Sequence, residues 1–207
     1  ESTQVLIYVG EPSPYSVNQE IYFDFLPENR YVTEGIWTFN LYPIKTVTGN
    51  YDLYLPGNTV LSTGTRFFSP TPDKTLTIPS TAAKVITVGA YNAALDGYAD
   101  FSGRGFVTRL SEGYISVVKP EISAPGVGIL AENAYGLQRF DGTSFATPFV
   151  TGAAAILMER AILGGIDPYL YGEKMKAWLC RHAKELSGTG EVPDDKTGWG
   201  GLCVADV

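Results

Sequence analysis

Positive charge and long apolar runs are both in short supply in this sequence. Charged residues make up 18% of the 207 residues, below the usual quarter, and the net charge is −7. A surface that neutralises phosphate groups is therefore not expected, and we predict no nucleic-acid partner. The longest apolar run, a stretch of small residues ended by Glu159, is shorter than a bilayer requires, so we predict no membrane partner.

Cysteine and histidine are scarce as well. Cys180 and Cys203 cannot form a disulfide-dense scaffold, and we expect two thiols; a single bridge near the C-terminus stays open as the alternative. His182 is the one histidine. Glu1 is not followed by a basic segment and an apolar core, so no targeting signal is visible and we expect a chain cut from a longer one.

The sequence does contain enough apolar material for a packed core, since hydrophobic residues make up 44% of it. Residues 3–56 alternate apolar and polar side chains and are rich in aromatic and β-branched residues, which predicts strands. Residues 57–75, with several glycines and prolines, predict an irregular connection. The four predicted strands are Thr3 to Val9 and the segments around Ile21, Phe23 and Phe25; Trp37, Phe39 and Leu41; and Tyr51, Leu53 and Leu55.

From residue 76 the pattern changes to α/β. Val85 to Val88 form a short apolar run, which is typical of a strand covered on both faces in a parallel sheet. Gly126 to Ala131 and Leu137 to Asp141 are predicted to pair as a hairpin that leads to Ser144.

Two helices are predicted after this hairpin. The first follows Ser144 and stops near Gly164 and Gly165, and Asp167 and Pro168 supply an N-cap and a first-turn proline for the second. The second helix is expected to direct Leu170, Trp178 and Leu179 inward and to stop near Gly188.

Ser144 lies where polar residues give way to a helix of small and apolar residues. The start of a helix has unpaired backbone N–H groups and a positive dipole end, which favour a nearby negative charge. This is a suitable position for an acyl-transfer nucleophile, because the attacked carbonyl oxygen becomes an anion that the Ser144 N–H can stabilise. The alternative is an ordinary N-cap serine that begins a buried helix.

The surrounding residues favour the nucleophile. Gly-Thr-Ser-Phe-Ala-Thr-Pro-Phe-Val-Thr-Gly at residues 142–152 resembles the nucleophile segment of the subtilisin-like serine proteases, with Phe145 in place of the usual methionine. Four further segments are similar to motifs of the same family, and their order and spacing agree over about residues 76–207. They are residues 78–90, 101–105, 119–127 and 198–204.

The resemblance also implies the domain organisation. Residues 35–41 and 49–56 resemble the closing strands of a jelly-roll insert found in a bacterial branch of subtilases that includes spore-germination proteases. Four strands are too few for that sandwich, which needs about eight. We therefore predict an α/β chain in which residues 1–75 are the end of a partial jelly-roll insert and residues 76–207 are the C-terminal half of a subtilisin-like parallel-sheet domain.

The other catalytic groups of the family do not occur in this sequence. A serine protease needs a histidine to accept the serine proton, a carboxylate to orient that histidine and a second oxyanion donor. The family's Asp-(Ser or Thr)-Gly and His-Gly-Thr-His segments and its oxyanion asparagine are absent. We expect His182 to be a surface residue at a helix end, Asp141 to be a turn residue, and Glu121 to be a structural partner of backbone or arginine.

The resemblance assigns a substrate-binding role to Leu76, Ile78, Pro79, Gly142 and Thr143. It implies a cis peptide bond at Ile78-Pro79, with Leu76 and Ile78 shaping an apolar pocket. We predict no cofactor and no metal. A weakly bound cation stays open as the alternative, since the carbonyls of Ser80, Ala82 and Val85 correspond to such a site in some relatives.

The chain is thus expected to be part of a secreted or spore-associated serine endopeptidase, acting on peptides or proteins through an acyl-enzyme on Ser144. By itself it is expected to be inactive, and either to bind the missing N-terminal part of the same protein or to self-associate. The alternatives are a non-catalytic pseudoprotease scaffold and a β-sandwich binding module whose ligand would contact Trp37.

Overall fold

The chain folds into two compact units, Glu1–Leu61 (unit 1) and Ser62–Val207 (unit 2). The structure is a computed structural model and describes residues 2–12, 18–57, 60–111 and 113–205. The predicted boundary between residues 75 and 76 refers to the jelly-roll insert and stays a prediction.

Unit 1 is built on an antiparallel hairpin of β1 (Thr3–Val9) and β2 (Ile21–Pro27). Val5 lies opposite Phe25 and Ile7 opposite Phe23, so the alternating apolar residues of both strands share one face. The first two predicted strands are confirmed.

The third and fourth predicted strands are wrong, because residues 36–42 and 51–55 are not in a ladder. Trp37 and Phe39 still lie on the apolar face of the hairpin: the rings of Phe25 and Trp37 are 5.0 Å apart and those of Phe23 and Phe39 are 4.8 Å apart. Side-chain alternation indicates which residues share a face, but a strand also needs a hydrogen-bonding neighbour. The described residues of unit 1 provide that neighbour only for β1 and β2.

The central sheet of unit 2 confirms the predicted parallel arrangement. Its strands are β3 (Val88–Asn92), β4 (Gly97–Tyr98) and β7 (Ile122–Pro125), in the order β4-β3-β7, with β3 parallel to β7 and antiparallel to β4. Antiparallel hairpins are formed by β5 (Phe106–Arg109) with β6 (Ile115–Lys119) and by β8 (Ile129–Asn133) with β9 (Gly136–Phe140). The second hairpin is the predicted one, although β8 begins at Ile129 and not at Gly126. The helices are α1 (Thr143–Met158) and α2 (Gly172–Arg181).

The buried strand β3 begins later than predicted. The strand begins at Val88, and Val85 and Thr87 lie before it. Backbone groups of these two residues form hydrogen bonds with side chains. The Thr87 N–H donates to Glu121 Oε2 (2.6 Å) and Val85 O accepts from Lys119 Nζ (3.1 Å).

Helix α1 packs closely on the sheet because small residues line the contact. Ala90 of β3 and Ala146 of α1 are fully buried, and a Cβ on Gly126 would lie 2.6 Å from the Ala90 Cβ. The helix continues as a π-helical turn, Glu159–Leu163, and ends at Gly164 as predicted. Contrary to the prediction, the 21 residues Thr143–Leu163 are long and apolar enough to cross a membrane, by length and composition alone. A core helix of small residues satisfies the same criterion, and α1 contacts β3 and β7.

The second helix starts later than predicted, at Gly172 and not after Asp167. Helix α2 begins at Gly172 after Tyr171, while Asp167 forms a turn in which its N–H donates to Ala161 O (2.9 Å) and its Oδ1 accepts from the Tyr169 N–H (3.1 Å). The Asp-Pro pair therefore starts a turn, which these residues favour as strongly as a helix start.

The core of unit 2 lies between this sheet and the two helices. Leu170 and Leu179 are buried as predicted, and Trp178 is half-buried against the core. Helix α2 ends at Arg181, before the predicted stop at Gly188. Cys180 and Cys203 are both free thiols, as expected.

Candidate active site

Ser144 is the second residue of α1 and is exposed to solvent. The hairpin β8–β9 delivers the chain to it, because β9 ends at Phe140 and the helix begins at Thr143. The serine is therefore at the surface on a helix end, as the sequence predicts for an acyl-transfer nucleophile.

Helix α1 begins beside Ser144 without a capping side chain, and the nearest carboxylate in sequence, Asp141, accepts from the Gly128 N–H (2.6 Å). Gly142 is the N-cap, no side chain caps the helix, and its first turn contains no acidic residue. The first N–H groups of a helix have no carbonyl one full turn before them to donate to, although the Phe145 N–H donates to the N-cap carbonyl, and the dipole concentrates positive charge there. An anionic oxygen beside Ser144 would therefore be stabilised by backbone groups.

Gly142 shapes the turn between strand and helix. Its φ of 152° lies in a region that favours glycine, its N–H donates to Gly126 O (2.8 Å), and its carbonyl accepts from the Phe145 N–H (3.0 Å). The turn is thus tied on one side to the loop after β7 and on the other to the first turn of α1.

Asp141 and Arg139 fix the same turn through one residue of the neighbouring loop. The Gly128 N–H donates to Asp141 Oδ1 (2.6 Å), and Arg139 Nη1 donates to Gly128 O (2.8 Å). The prediction that Asp141 is a turn residue is confirmed. The two hydrogen bonds to Gly128 could not be predicted, because they depend on the hairpin bringing residues 11 to 13 positions apart into contact.

Phe140 and Phe145 stack beside Ser144, with ring centroids 4.9 Å apart and ring planes 15° apart. Position 145 is the one at which the sequence departs from the methionine usual in the family. The strand-to-helix turn brings the Phe145 ring face to face with the ring of Phe140. An aromatic residue at position 140 is therefore the feature of the sequence that could have indicated why position 145 is a phenylalanine.

His182 is engaged away from this site. It is exposed at the C-terminal end of α2, its ring stacks on Trp178 with centroids 4.0 Å apart, and its Nδ1 lies 2.8 Å from Trp178 O. The prediction of a surface residue is confirmed.

The predicted substrate-binding segment lies at the surface. The Ile78-Pro79 peptide bond is cis, as predicted. Ile78 is 86% exposed, so the described residues do not cover it, whereas Leu76 is half-buried beside Gly103 and Gly105. The roles of Leu76, Ile78, Pro79, Gly142 and Thr143 stay predictions.

Glu121 is buried and structural, as predicted, but its charged partners are lysines and not arginine. Its carboxylate accepts from the Thr87 N–H and forms ion pairs with Lys119 and Lys176. Within the described residues, no group of three or more His, Cys, Asp or Glu side chains could hold a metal ion.

The fold that positions Ser144, a sheet with a parallel strand pair followed by a hairpin and a helix, can be compared with known proteins. The model of the S8 peptidase, or subtilase, family matches residues 48–200. The chain belongs to the subtilase family, and the α/β fold class predicted from the sequence is confirmed.

Among solved structures, the chain is similar to the CspB protease of Clostridium perfringens, with a TM-score of 0.77 and 32% identity, over 98% of this chain and 41% of that one. It is 38% identical over 111 residues to the serine protease AprX of Bacillus subtilis, covering 43% of this chain and 24% of that protein. It is 34% identical over 118 residues to the minor extracellular protease Vpr of the same species, covering 53% and 13%. The chain therefore spans less than half the length of the relatives it matches.

Proposed function

We propose that this chain is the nucleophile-bearing part of a serine endopeptidase that hydrolyses peptide bonds in peptides or proteins. The observation that supports this most strongly is the position of Ser144: an exposed residue on the first turn of a helix whose N-terminus has no capping side chain and no acidic residue in its first turn. Membership of the subtilase family supports the same reaction.

In the proposed reaction, Ser144 Oγ attacks the peptide carbonyl and its proton passes to a base. The carbonyl oxygen becomes an anion, to which the Ser144 N–H donates, and the amine leaves with a proton. Water then hydrolyses the acyl-enzyme. The base, the carboxylate that orients it and the second oxyanion donor are proposed to lie on residues outside these 207, because the corresponding family segments do not occur in them.

Substrate binding is proposed to use the surface around the strand-to-helix turn. Gly142 and Thr143 adjoin the nucleophile, and the exposed Ile78 with Pro79 and Leu76 would form part of an apolar pocket for a substrate side chain. The remaining walls are proposed to come from the same outside residues that supply the base.

The protein segment that carries those residues is proposed to cover the apolar side chains that α1 leaves in solvent. Phe149 is 43% exposed and Ile156 is 58% exposed, on the same helix whose Ala146, Val150, Ala153 and Leu157 are buried in the core. The proposed occupant is the preceding part of the same protein; self-association of the chain is the alternative. Size-exclusion chromatography of the 207 residues with and without that part distinguishes the two, and a clean monomer that does not bind a hydrophobic dye would contradict both.

The site of action is proposed to be outside the cytoplasm, either secreted or at the spore or cell envelope. The support is similarity to relatives such as the extracellular protease Vpr. Immunodetection in culture medium, envelope and cytoplasmic fractions tests this, and a protein confined to the cytoplasm would contradict it.

The nucleophile is tested with a fluorophosphonate probe and a peptide substrate on the full-length protein. Ser144→Ala should abolish labelling and lower kcat on the order of 10⁶-fold. Ser116→Ala, an exposed serine on β6, is the matched control and should leave both unchanged. Labelling that persists in Ser144→Ala would refute the assignment, and a folded protein that is unlabelled in all forms would indicate a non-catalytic scaffold.

A further inference from the structure

Two lysine side chains donate hydrogen bonds to backbone carbonyls of the segment that precedes β3. One lysine lies on helix α2 and the other at the end of β6. Lys176 Nζ donates to Ala83 O (2.8 Å) and to Val85 O (3.2 Å). Lys119, at the end of β6, donates from Nζ to the same Val85 oxygen (3.1 Å). Val85 O is one of the oxygens at which the family resemblance leaves a weak cation site open.

A single carboxylate balances these two ammonium groups. Glu121 Oε1 lies 2.8 Å from Lys119 Nζ in an ion pair that lacks hydrogen-bond alignment, and it also pairs with Lys176. The side chains of Lys119, Glu121 and Lys176 are 0%, 3% and 20% exposed. The cluster therefore places one surplus positive charge against neutral carbonyls, as a bound monovalent cation would.

Two of the three carbonyls that such a metal would need, those of Ser80 and Val85, already accept hydrogen bonds from side chains. Ser80 O accepts from Thr87 Oγ1 (2.5 Å), and Val85 O accepts from both lysines. A Ca²⁺ ion takes six to eight oxygen ligands at about 2.3–2.6 Å. A metal bound to Val85 O would also lie within a few ångströms of two like charges, Lys119, which is fully buried, and Lys176, which is 20% exposed, where repulsion is weakly screened. The residues present do not fit a metal at this position.

We infer that the ammonium groups of Lys176 and Lys119 take the place of a metal cation beside the carbonyl oxygens of Ala83 and Val85. The segment that leads into β3 is then held by charges the chain carries itself. Its stability should not depend on dissolved Ca²⁺, Na⁺ or K⁺, whatever the catalytic role of Ser144.

The inference is tested by the cation dependence of thermal unfolding of the full-length protein. After treatment with a chelator, the midpoint temperature is measured over CaCl₂ and KCl series, with choline chloride keeping the ionic strength constant. Lys176→Gln removes one ammonium group and should produce a midpoint that rises with added cation. Lys174→Gln, on the same helix but paired with Asp167, is the matched control. It should respond as the unaltered protein does.

The opposite pattern would overturn the inference. A cation response in the unaltered protein that Lys176→Gln abolishes, or equal responses in all three forms, would show that the ammonium does not replace a metal. If Lys176→Gln does not fold, Lys176→Arg keeps the positive charge and should respond as Lys174→Gln does, and a larger response would count against the inference. Anomalous scattering from crystals of the unaltered protein grown in RbCl gives a direct measurement, in which a Rb⁺ peak beside Val85 O would refute it.

Discussion

The two units of the chain differ in how their apolar side chains are shielded from water. Every fully buried hydrophobic residue among those described belongs to unit 2, where Ile122 and Ala124 are 0% exposed and Leu179 is 1% exposed. In unit 1, Trp37 and Phe39 are each 44% exposed even though their rings contact Phe25 and Phe23 of β2. A two-stranded hairpin with a half-solvated face is marginal alone. Unit 2 thus carries its own core, whereas unit 1 has aromatic contacts without one.

The largest effect should come from truncating a core leucine of unit 2. Leu179→Ala in the full-length protein should lower the free energy of unfolding by about 2–5 kcal/mol, because it leaves a cavity between α2 and the sheet. Leu53→Ala, at a side chain that is 49% exposed in unit 1, should cost less than about 1 kcal/mol. Denaturant unfolding of both variants makes the comparison. A Leu53→Ala cost equal to that of Leu179→Ala would show that residues outside this chain bury unit 1.

A close backbone contact in unit 2 gives the next effect. A Cβ on Gly105 would lie 2.1 Å from Lys119 O, so Gly105→Ala must push β6 away and should cost about 3 kcal/mol. A Cβ on Gly57 in unit 1 would meet no described atom within 4 Å beyond its chain neighbours, and Gly57→Ala should change stability by less than about 0.5 kcal/mol. Thermal unfolding of the two variants measures the difference, and similar midpoints would argue against tight packing at Gly105.

The sequence predicted most reliably where local chemistry and tertiary contacts agree. The helix after Ser144 has small residues, an early proline and a glycine pair at its end, and each favours the same boundaries. The hairpin before it has a turn signal, Asn133 to Gly136, between two short segments that contain apolar residues, which favours a hairpin locally. Both elements that position the candidate nucleophile were therefore predictable.

Prediction failed where the deciding partner is distant in sequence. The alternation of Tyr51, Leu53 and Leu55 predicts a strand, but no described residue supplies the ladder that would make it one. The ion cluster at Glu121 joins Lys119 to Lys176, and spacing along the chain does not indicate that α2 returns to this point.

The exclusion of water from side chains of unit 2 should also affect how the free energy of unfolding depends on pH. Burial, and secondarily the charge of Glu121, raises the pKa of the Cys180 thiol from 9.0 to about 11. The folded protein then keeps the thiol proton over a pH range in which the unfolded chain loses it. The contribution to stability is complete below pH 9 and is lost as the pH rises towards 11.

This pH effect is measured in a Cys203→Ala background, so that Cys180 is the one cysteine left in these 207 residues. Denaturant unfolding is followed from pH 8 to pH 10.5 with and without a further Cys180→Ala change. The form that retains Cys180 should lose stability more steeply as the pH rises. Parallel curves would mean that unit 2 does not exclude water from this side chain.

The smallest effect should be the coupling between Phe25 and Trp37, which tests whether unit 1 has any specific packing. Their rings meet edge to face with centroids 5.0 Å apart and an interplanar angle of 75°, a geometry that contributes about 0.5–1.5 kcal/mol beyond burial. A double-mutant cycle of Phe25→Leu and Trp37→Leu in the full-length protein should give a coupling energy in the lower part of that range, because Trp37 is half in water. The cycle of Tyr8→Leu and Tyr22→Leu is the control: these rings are 6.0 Å apart on exposed side chains and should couple more weakly. A coupling energy between Phe25 and Trp37 no larger than that of the control would mean that burial alone, and no specific ring contact, stabilises the aromatic face of unit 1. The aromatic face of unit 1 would then lack the specific packing that the core of unit 2 has.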